Sequence, residues 1–319
     1  MTSTQEGKDL KVLVTGSAGF FGKAIFARLK QSGHEVIGVD RNTESDLPVD
    51  YLDVSLRESC DSIFSKHQGV DSVVHCAAIV HAKEGIFSRE QYYLTNAQGT
   101  KNILDAAIAH GVKRFIQIST VSVYGEFDLP VPVSENSPTN PNGYYGISKK
   151  KAEDFCLERK NEICLYVLRM TTMYGQKWLF NIRKKVAPPV ISRYSYLTLD
   201  GKSDRYSLCS DRNGAEAVLW AIEGRLDAGT YNIADYFNYS LYDILKAVEK
   251  TEGKKWHICI PKIMSSLILK SLIVFSITPA QRFNAYSRHW AFFENNLYSI
   301  DKLQSTGFNS QPHLLDMAK

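Results

Sequence analysis

The stretch Thr15 to Gly22 reads T-G-S-A-G-F-F-G and narrows the possible folds more than any other part of the chain. A short apolar run, Lys11 to Val14, precedes it, and a helical pattern from about Gly22 to Ser32 follows. Glycines at 16, 19 and 22 permit a tight turn. They also let backbone N–H groups approach a pyrophosphate, which the helix N-terminus attracts. The spacing is G-x-x-G-x-x-G, which differs from the G-x-G-x-x-G dinucleotide fingerprint. Turns also use glycine, so the order strand, loop, helix carries the argument rather than the triplet alone.

The alternation continues through the first half. Gly33 closes the first helix, and Glu35 to Val39 reads as a second strand. Val70 to His75, Arg114 to Ile118 and Cys164 to Leu168 read as further strands. Between them lie helices from about Asn96 to His110 and from Tyr145 to Lys160. Strands alternating with helices at this spacing predict an α/β fold, a doubly wound parallel sheet covered on both faces. After Gly175 the rhythm breaks, at Pro188-Pro189 and an aromatic-rich stretch from Tyr194 to Tyr206. The expected division is residues 1–175, a dinucleotide-binding domain with the reacting groups, and residues 176–319, a smaller mixed part for substrate. Some segments of the second part are expected to return to the first sheet. Ligands bind at the carboxyl ends of the strands in open α/β sheets, which is where the second part is expected to pack.

Composition removes several function classes. The 319 residues are 44% hydrophobic and 23% charged, and the formal net charge is +4. These are ordinary values for a globular chain, and a mild, scattered positive charge is not the footprint of a nucleic-acid binder. Six cysteines, at 60, 76, 156, 164, 209 and 259, form no Cys-x-x-Cys pair and sit at no metal-ligand spacing with histidine. They read as reduced thiols of a cytoplasmic protein, with no metal site expected. The N-terminal MTSTQEGKDLK lacks the apolar core of a signal peptide. The greasiest run, Ile263 to Thr278, contains Lys270 and falls short of a transmembrane span. A buried or partly exposed helix is expected there.

Two groups of residues carry candidate chemistry. Asp40 ends the second strand, where a carboxylate can accept hydrogen bonds from both ribose hydroxyls and repel a 2′-phosphate. That favours NAD over NADP, although the adjacent Arg41 can tolerate a 2′-phosphate; a turn-forming aspartate is the plainer alternative. Tyr145 and Lys149 stand four apart on an expected helix, hence on one face. A free phenol has a pKa of about 10, and a nearby ammonium lowers it. Such a tyrosine can take the proton of an alcohol while hydride leaves to a nicotinamide. Tyr-x-x-x-Lys spacings are also common by chance. Upstream, Ile118 to Gly125 reads I-S-T-V-S-V-Y-G and offers hydroxyls just past a strand.

The ordered set TGSAGFFG, Asp40, Asp53, HCAA at 75–78, TNAQGTKNILDAA at 95–107, ISTVSVYG and YGISK resembles the extended short-chain dehydrogenase/reductases. Within them it is similar to the NAD-dependent epimerase/dehydratase group acting on nucleotide sugars. Leu168-Arg169, Met173-Tyr174-Gly175, Tyr231-Asn232-Ile233 and DKLQSTGF at 301–308 extend the resemblance over nearly the whole chain. It implies a Rossmann-like fold with NAD as cofactor. Gly16, Ser17, Ala18, Gly19, Phe20, Phe21 and Gly22 would hold the pyrophosphate, and Asp40 and Arg41 would lie at the adenine-side ribose. Asp53 and Val54 would flank the adenine, and Cys76, Ala77, Ala78 and Asn96 would line the cleft. Thr120 matches the catalytic serine or threonine, Tyr145 the base and acid, and Lys149 the partner of both tyrosine and ribose. Thr171 would touch cofactor, and Thr172 and Ser122 substrate. Among the cations and amides of the second part, Asn181, Arg183 and Arg205 are candidates for the substrate's phosphates.

Departures from the family pattern sharpen the reading. Sugar 4,6-dehydratases carry an Asp-Glu pair after the catalytic threonine, where this chain has Val121 and Ser122. Neither can perform acid–base work, so dehydration is disfavoured. The expected activity is an NAD-dependent nucleotide-sugar epimerase, most simply a 4-epimerase, working through a transient 4-keto intermediate. A 4-keto reductase or dehydrogenase using NAD(P)H is the alternative, followed by a hydroxysteroid-type dehydrogenase or a non-enzymatic dinucleotide sensor. The resemblance also implies a homodimer, with the helices near 97–110 and 145–160 pairing into a four-helix bundle.

Overall fold

The structure, a computed structural model, describes residues 9–80, 86–125, 131–176, 179, 182, 195–199, 205–252, 256–260, 267, 271, 274–275 and 297–318. The chain divides into two compact units. The first comprises residues 1–125, 138–170 and 214–231; the second comprises 126–137, 171–213 and 232–319.

The first unit is built on the alternation of strands and helices. Its elements are β1 (Lys11–Thr15), α1 (Phe20–Gln31), β2 (Glu35–Asp40), β3 (Val49–Tyr51), α2 (Arg57–Lys66) and β4 (Ser72–His75). Then follow α3 (Arg89–Tyr92), a π-helical turn (Tyr93–Gln98), α4 (Gly99–Ala109) and β5 (Arg114–Thr120). A 3-10 turn (Val121–Tyr124), α5 (Tyr144–Glu158) and β6 (Cys164–Met170) complete the series. The sheet order is β10-β6-β5-β4-β1-β2-β3, where β10 is Gly229–Ile233. The pairings from β3 through β6 are parallel. Parallel strands need crossovers, and helices supply them, so the strands read as near-continuous apolar runs. Val12, Leu13 and Val14 of β1 are fully buried. On one face Cys60, Ile63 and Phe64 of α2 and Ile103, Leu104, Ala106 and Ala107 of α4 pack with Leu13, Val39, Val73 and Phe115.

Strand order reverses between β4 and β2 on either side of β1. In open α/β sheets the crevice at such a switch point is where ligands bind. The register sets Thr15 opposite His75 there.

The sequence reading passed over β3 and α2. β3 has three residues and one valine, and α2 (RESCDSIFSK) buries only Cys60, Ile63 and Phe64, too few for a periodic signal. The helix expected from Asn96 begins earlier, because the π-helical turn runs directly into α4.

The second unit has its own sheets and core. β11 (Asn238–Tyr239), β9 (Tyr206–Ser210) and β7 (Thr172–Tyr174) form a mixed sheet, antiparallel on one side of β9 and parallel on the other. β12 (Trp256–Ile260) pairs in parallel with β8 (Ser195–Leu199). Tyr174, Tyr206, Leu208 and Tyr239 pack with Leu241, Ile244, Ala247 and Val248 of helix Leu241–Glu252. The amide of Asn232 donates to the carbonyls of Val133 and Ser299, each at 3.1 Å, and so ties residues 131–137 into this unit. At its centre the Asp235 carboxylate, 2% exposed, accepts from the Tyr174 and Tyr239 hydroxyls, the Ser210 N–H and the Asn213 amide. Burial holds that carboxyl above the usual carboxylate range, and the four donors oppose the shift without cancelling it. Of the apolar run 263–278, only Leu267, Ser271, Val274 and Phe275 are among the described residues, and all four are exposed. The rest of it lies outside them.

Candidate functional site

The glycine loop is shaped by contacts that exclude side chains. Gly16 has φ +70°, and a Cβ there would meet the Ala77 nitrogen at 2.7 Å. A Cβ on Gly22 would sit 2.0 Å from the Gly16 carbonyl oxygen. The loop therefore folds back on its helix and lies against the residues after β4. Gly19 is the N-cap of α1, with no side-chain cap and no acidic residue in the first turn. The leading N–H groups of α1 thus have no capping side chain, the condition under which a helix start attracts an anion. Ser17 is fully buried, and no partner to its hydroxyl exists among the described residues. Phe20 and Phe21 follow on the first turn, Phe21 in the core.

Asp40, half-buried, accepts the Ala18 N–H at 3.1 Å and the Asn42 N–H at 2.9 Å, one on each oxygen. A carboxylate has about four lone-pair sites, so it can brace the loop and still accept ribose hydroxyls. Arg41 is exposed. Asp53 closes a local turn by accepting from the Ser55 N–H and hydroxyl. Val54 is buried against Gly99, where a Cβ would come within 2.7 Å of its Cγ2.

Behind the loop runs a buried hydrogen-bonded chain. The Thr15 Oγ1 accepts the N–H groups of Cys76 and Ala77, each at 3.2 Å, and lies 2.8 Å from His75 Nδ1. His75 Nε2 lies 3.0 Å from Thr100 Oγ1, which donates to the Asn96 carbonyl at 2.6 Å. Burial pulls the His75 pKa down to about 3, so the ring is neutral and bridges two hydroxyls. Asn96, on the π-helical turn, accepts the Ile79 N–H and donates to the Ile79 carbonyl and to Ser148 Oγ at 3.0 Å. It fastens the loop of Cys76, Ala77 and Ala78 to α5. Cys76 is half-buried, and desolvation pushes its thiol up to about 12, so it is no nucleophile at neutral pH.

Thr120 caps the 3-10 turn: its Oγ1 accepts the Ser122 N–H and donates to Ser122 Oγ, both at 3.2 Å. That turn packs on the start of α5, because a Cβ on Gly146 would meet the Ser122 carbonyl at 2.7 Å. Glycine next to Tyr145 lets the two hydroxyl-bearing segments close on one another. Tyr145 is half-buried, and its carbonyl accepts from Ser148 Oγ at 2.8 Å. Lys149, one turn on, is 2% exposed, and no hydrogen bond or ion pair of its ammonium exists among the described residues. Burial lowers its pKa to about 8, against the opposing pull of Cys76, Cys156 and Glu153. A buried ammonium one turn from a phenol favours the phenolate and seeks hydroxyl acceptors.

These residues fit a dinucleotide. The cradle admits no Cβ at Gly16 or Gly22, the helix start lacks a cap, and the buried ammonium lacks a partner among the described residues. The first unit thus brings together Gly16 to Gly22, Asp40, Asp53, Val54, Cys76 to Ala78, Asn96, Thr120, Ser122, Tyr145 and Lys149. Thr171, Thr172 and Arg205 belong to the second unit. The Thr171 N–H and hydroxyl both donate to the Ile233 carbonyl. Thr172 begins β7, and Arg205 is exposed. Asn181 and Arg183 lie outside the described residues. Sequence reasoning assigned no role to Ser119, Tyr124, Glu153 and Arg169, which form a buried cluster. A charged residue on the inward face of α5, four after Lys149, was the available signal.

Comparison with known proteins adds to this geometry. The NAD dependent epimerase/dehydratase family matches residues 12–234. UDP-arabinose 4-epimerase 1 of Arabidopsis thaliana is 30% identical over 182 residues, 51% of this chain and 43% of that protein. The chain thus spans under half the length of that relative. UDP-glucose 4-epimerase of Bacillus subtilis is 24% identical over 284 residues, 77% of this chain and 83% of that protein. The crystal structure of Thermus thermophilus UDP-glucose 4-epimerase complexed with NAD superposes with TM-score 0.70 at 21% identity, covering 95% of this chain and 94% of that one. At that identity the likeness establishes the fold.

Proposed function

The chain belongs to the NAD dependent epimerase/dehydratase family, and from that premise we propose that it is a nucleotide-sugar 4-epimerase with NAD held at the glycine loop. The observation that carries the proposal is the placement of Tyr145 one helical turn before the buried Lys149 on α5, whose start packs on the Thr120 turn. Gly16 to Gly22 would hold the pyrophosphate of NAD, Asp40 its adenine-side ribose, and Lys149 its other ribose. Asp53 and Val54 would flank the adenine. NAD, when bound, accepts a hydride from carbon and returns it. Everything else falls to the protein.

Tyr145 takes the proton of the sugar 4-hydroxyl on its phenolate oxygen and gives it back when the hydroxyl reforms. Lys149 keeps that phenolate accessible near neutral pH by placing a positive charge one helical turn away. Thr120, whose hydroxyl already exchanges hydrogen bonds with Ser122, orients the reacting oxygen. Val121 and Ser122 stand where dehydration would need two carboxyl groups, so water is not expelled. The names of the two relatives, both UDP-sugar 4-epimerases, support the substrate class. Asp40 supports NAD over NADP, since a second anion beside it would be repelled.

Exposed apolar side chains support a homodimer. Tyr93 and Leu94 of the π-helical turn and Tyr144, Ile147 and Leu157 of α5 are 38–47% exposed, and the two elements pack together. Free thiols at Cys60, Cys76, Cys156, Cys164 and Cys209 support a reducing compartment, the cytoplasm. Among the described residues, no helix is long and apolar enough to cross a membrane.

The test is to incubate the purified protein with UDP-galactose and no added dinucleotide. A 4-epimerase converts it to UDP-glucose, carries NAD released on denaturation, and yields no dehydrated sugar by mass spectrometry. A requirement for stoichiometric NAD(P)H would overturn the epimerase reading in favour of a 4-keto reductase.

A further inference from the structure

Glu153 of α5 is completely buried, and its charge is matched by one partner. Its Oε2 accepts from Arg169 Nη2 at 2.7 Å, and its Oε1 from Arg169 Nε at 3.1 Å and Ser119 Oγ at 2.5 Å. Arg169 Nη1 donates to the Tyr124 hydroxyl at 2.9 Å, and its guanidinium lies 4.8 Å from the centre of that ring. Burial opposes the Arg169 charge, and the bonds and charge of Glu153 override it, holding the guanidinium protonated. These four residues fasten four elements, β5, the 3-10 turn, α5 and β6. Ser119 immediately precedes Thr120, Tyr124 closes the turn that Thr120 caps, Arg169 is next to last in β6, and Glu153 lies one turn beyond Lys149.

Residues 145, 149 and 153 share a helix face by their spacing of four. Any roll of α5 that moves Glu153 therefore also moves Tyr145 and Lys149. A two-pronged arginine–carboxylate pair resists that roll, because both nitrogens must stay in the carboxylate plane. We infer that Glu153 and Arg169 are positioning residues for Tyr145 and Lys149: their buried ion pair fixes the roll of α5 against the ends of β5 and β6 and keeps the charge beside Lys149 balanced. The inference rests on the reading of Tyr145 and Lys149 as the proton-handling pair.

The groups facing that pair make the charge balance specific. Lys149 is faced by Cys76 from the loop after β4 and by Cys156 and Glu153 from its own helix, and it acts in turn on His75. Asp40 reaches Cys76 from β2. Burial keeps both thiols protonated and His75 neutral. Among the described residues that face Lys149 directly, Glu153 is thus the anion.

Removing Glu153 alone takes away an anion that faces Lys149 and keeps the Arg169 cation, so proton loss from the Tyr145–Lys149 pair becomes easier. In Glu153→Gln the first proton loss of the pair moves to lower pH by about half a unit or more. In Glu153→Gln/Arg169→Met, which removes both charges, it returns to the wild-type position. Glu153→Asp keeps the charge but withdraws the carboxylate by one methylene. It therefore lowers kcat for UDP-galactose severalfold at unchanged KM, with the proton loss in place.

A potentiometric difference titration reads this without substrate, each protein being compared with the same background carrying Tyr145→Phe and Lys149→Met. The acid limb of the kcat profile checks it independently. An unmoved proton loss in folded Glu153→Gln, with only the melting temperature lowered, makes the pair purely structural and overturns the inference. Where Glu153→Gln does not fold, wild-type kcat in Glu153→Asp overturns it instead. Wild-type turnover in Tyr145→Phe sinks the reading of Tyr145 and this inference with it. An inactive Tyr145→Phe beside an unmoved proton loss sinks this inference alone.

Discussion

A lysine only 2% exposed carries its charge at a cost, and Lys149 shows what that cost serves. Burial lowers its pKa from 10.5 to about 8 in the folded chain. Between those values the unfolded chain binds the proton that the folded chain has lost, so the stability of the ligand-free protein rises with pH across that window. Below about 8 the charged form destabilises the fold by about 3 kcal/mol, at 1.36 kcal/mol per pKa unit. Lys149→Met should therefore be more stable than wild type at neutral pH without ligand. The difference should shrink as pH rises from about 8 towards 10.5, by chemical denaturation of both proteins. A gap that stays constant with pH would mean that Lys149 is not buried as a cation. On the proposed reading the same ammonium would make Tyr145 a usable base. Tyr145→Phe should bind NADH nearly as wild type and lose at least about 100-fold in turnover, the low end for general acid–base catalysis. Comparing nicotinamide fluorescence with the rate on UDP-galactose separates those two outcomes.

At the scale of elements, the glycine loop shows which parts of the candidate site were legible in the sequence. Gly16 to Gly22, Asp40, Thr120, Tyr145 and Lys149 could be read because each set is local, fixed by a turn or by helical spacing. The chain Thr15–His75–Thr100–Asn96 could not, since Thr15 and His75 stand 60 positions apart and meet only through β1–β4 register. Glu153 and Arg169 likewise meet only because α5 covers β6. β3 and α2 escaped notice because short, half-polar elements leave no periodic trace. The loop geometry orders the effects of substitution. Gly22→Ala places a methyl 2.0 Å from the Gly16 carbonyl oxygen, whereas a methyl at Gly19 would lie 3.1 Å from that same oxygen. Gly22→Ala should destabilise the protein by about 1–3 kcal/mol and abolish dinucleotide binding. Gly19→Ala should do less of both. Thermal melts with and without NADH would measure the order, and the reverse ranking would show that α1 does not close on the loop.

For the molecule as a whole, the diphosphate of the proposed nucleotide-sugar substrate would need cations apart from the dinucleotide loop, and Arg205 of the second unit is a described candidate. A charge-assisted hydrogen bond contributes about 1.5–3 kcal/mol, or roughly 10- to 150-fold in affinity. Arg205→Ala should weaken UDP binding by about that factor and leave NADH binding alone, by calorimetric titration of both ligands. Equal UDP affinity in the two proteins would reduce Arg205 to a surface charge. The division of the chain carries one further consequence. Residues 1–125, 138–170 and 214–231 make one unit, and the intervening stretches make the other. The polypeptide thus passes from unit to unit five times, and no single cut frees either as a contiguous gene fragment. Residues 1–170 expressed alone would lack β10, the strand beside β6, and would present seven mostly apolar residues as a bare margin of the sheet. Such a margin recruits other chains. That fragment should collect in inclusion bodies, while a circular permutant that keeps all five passages should remain dispersed.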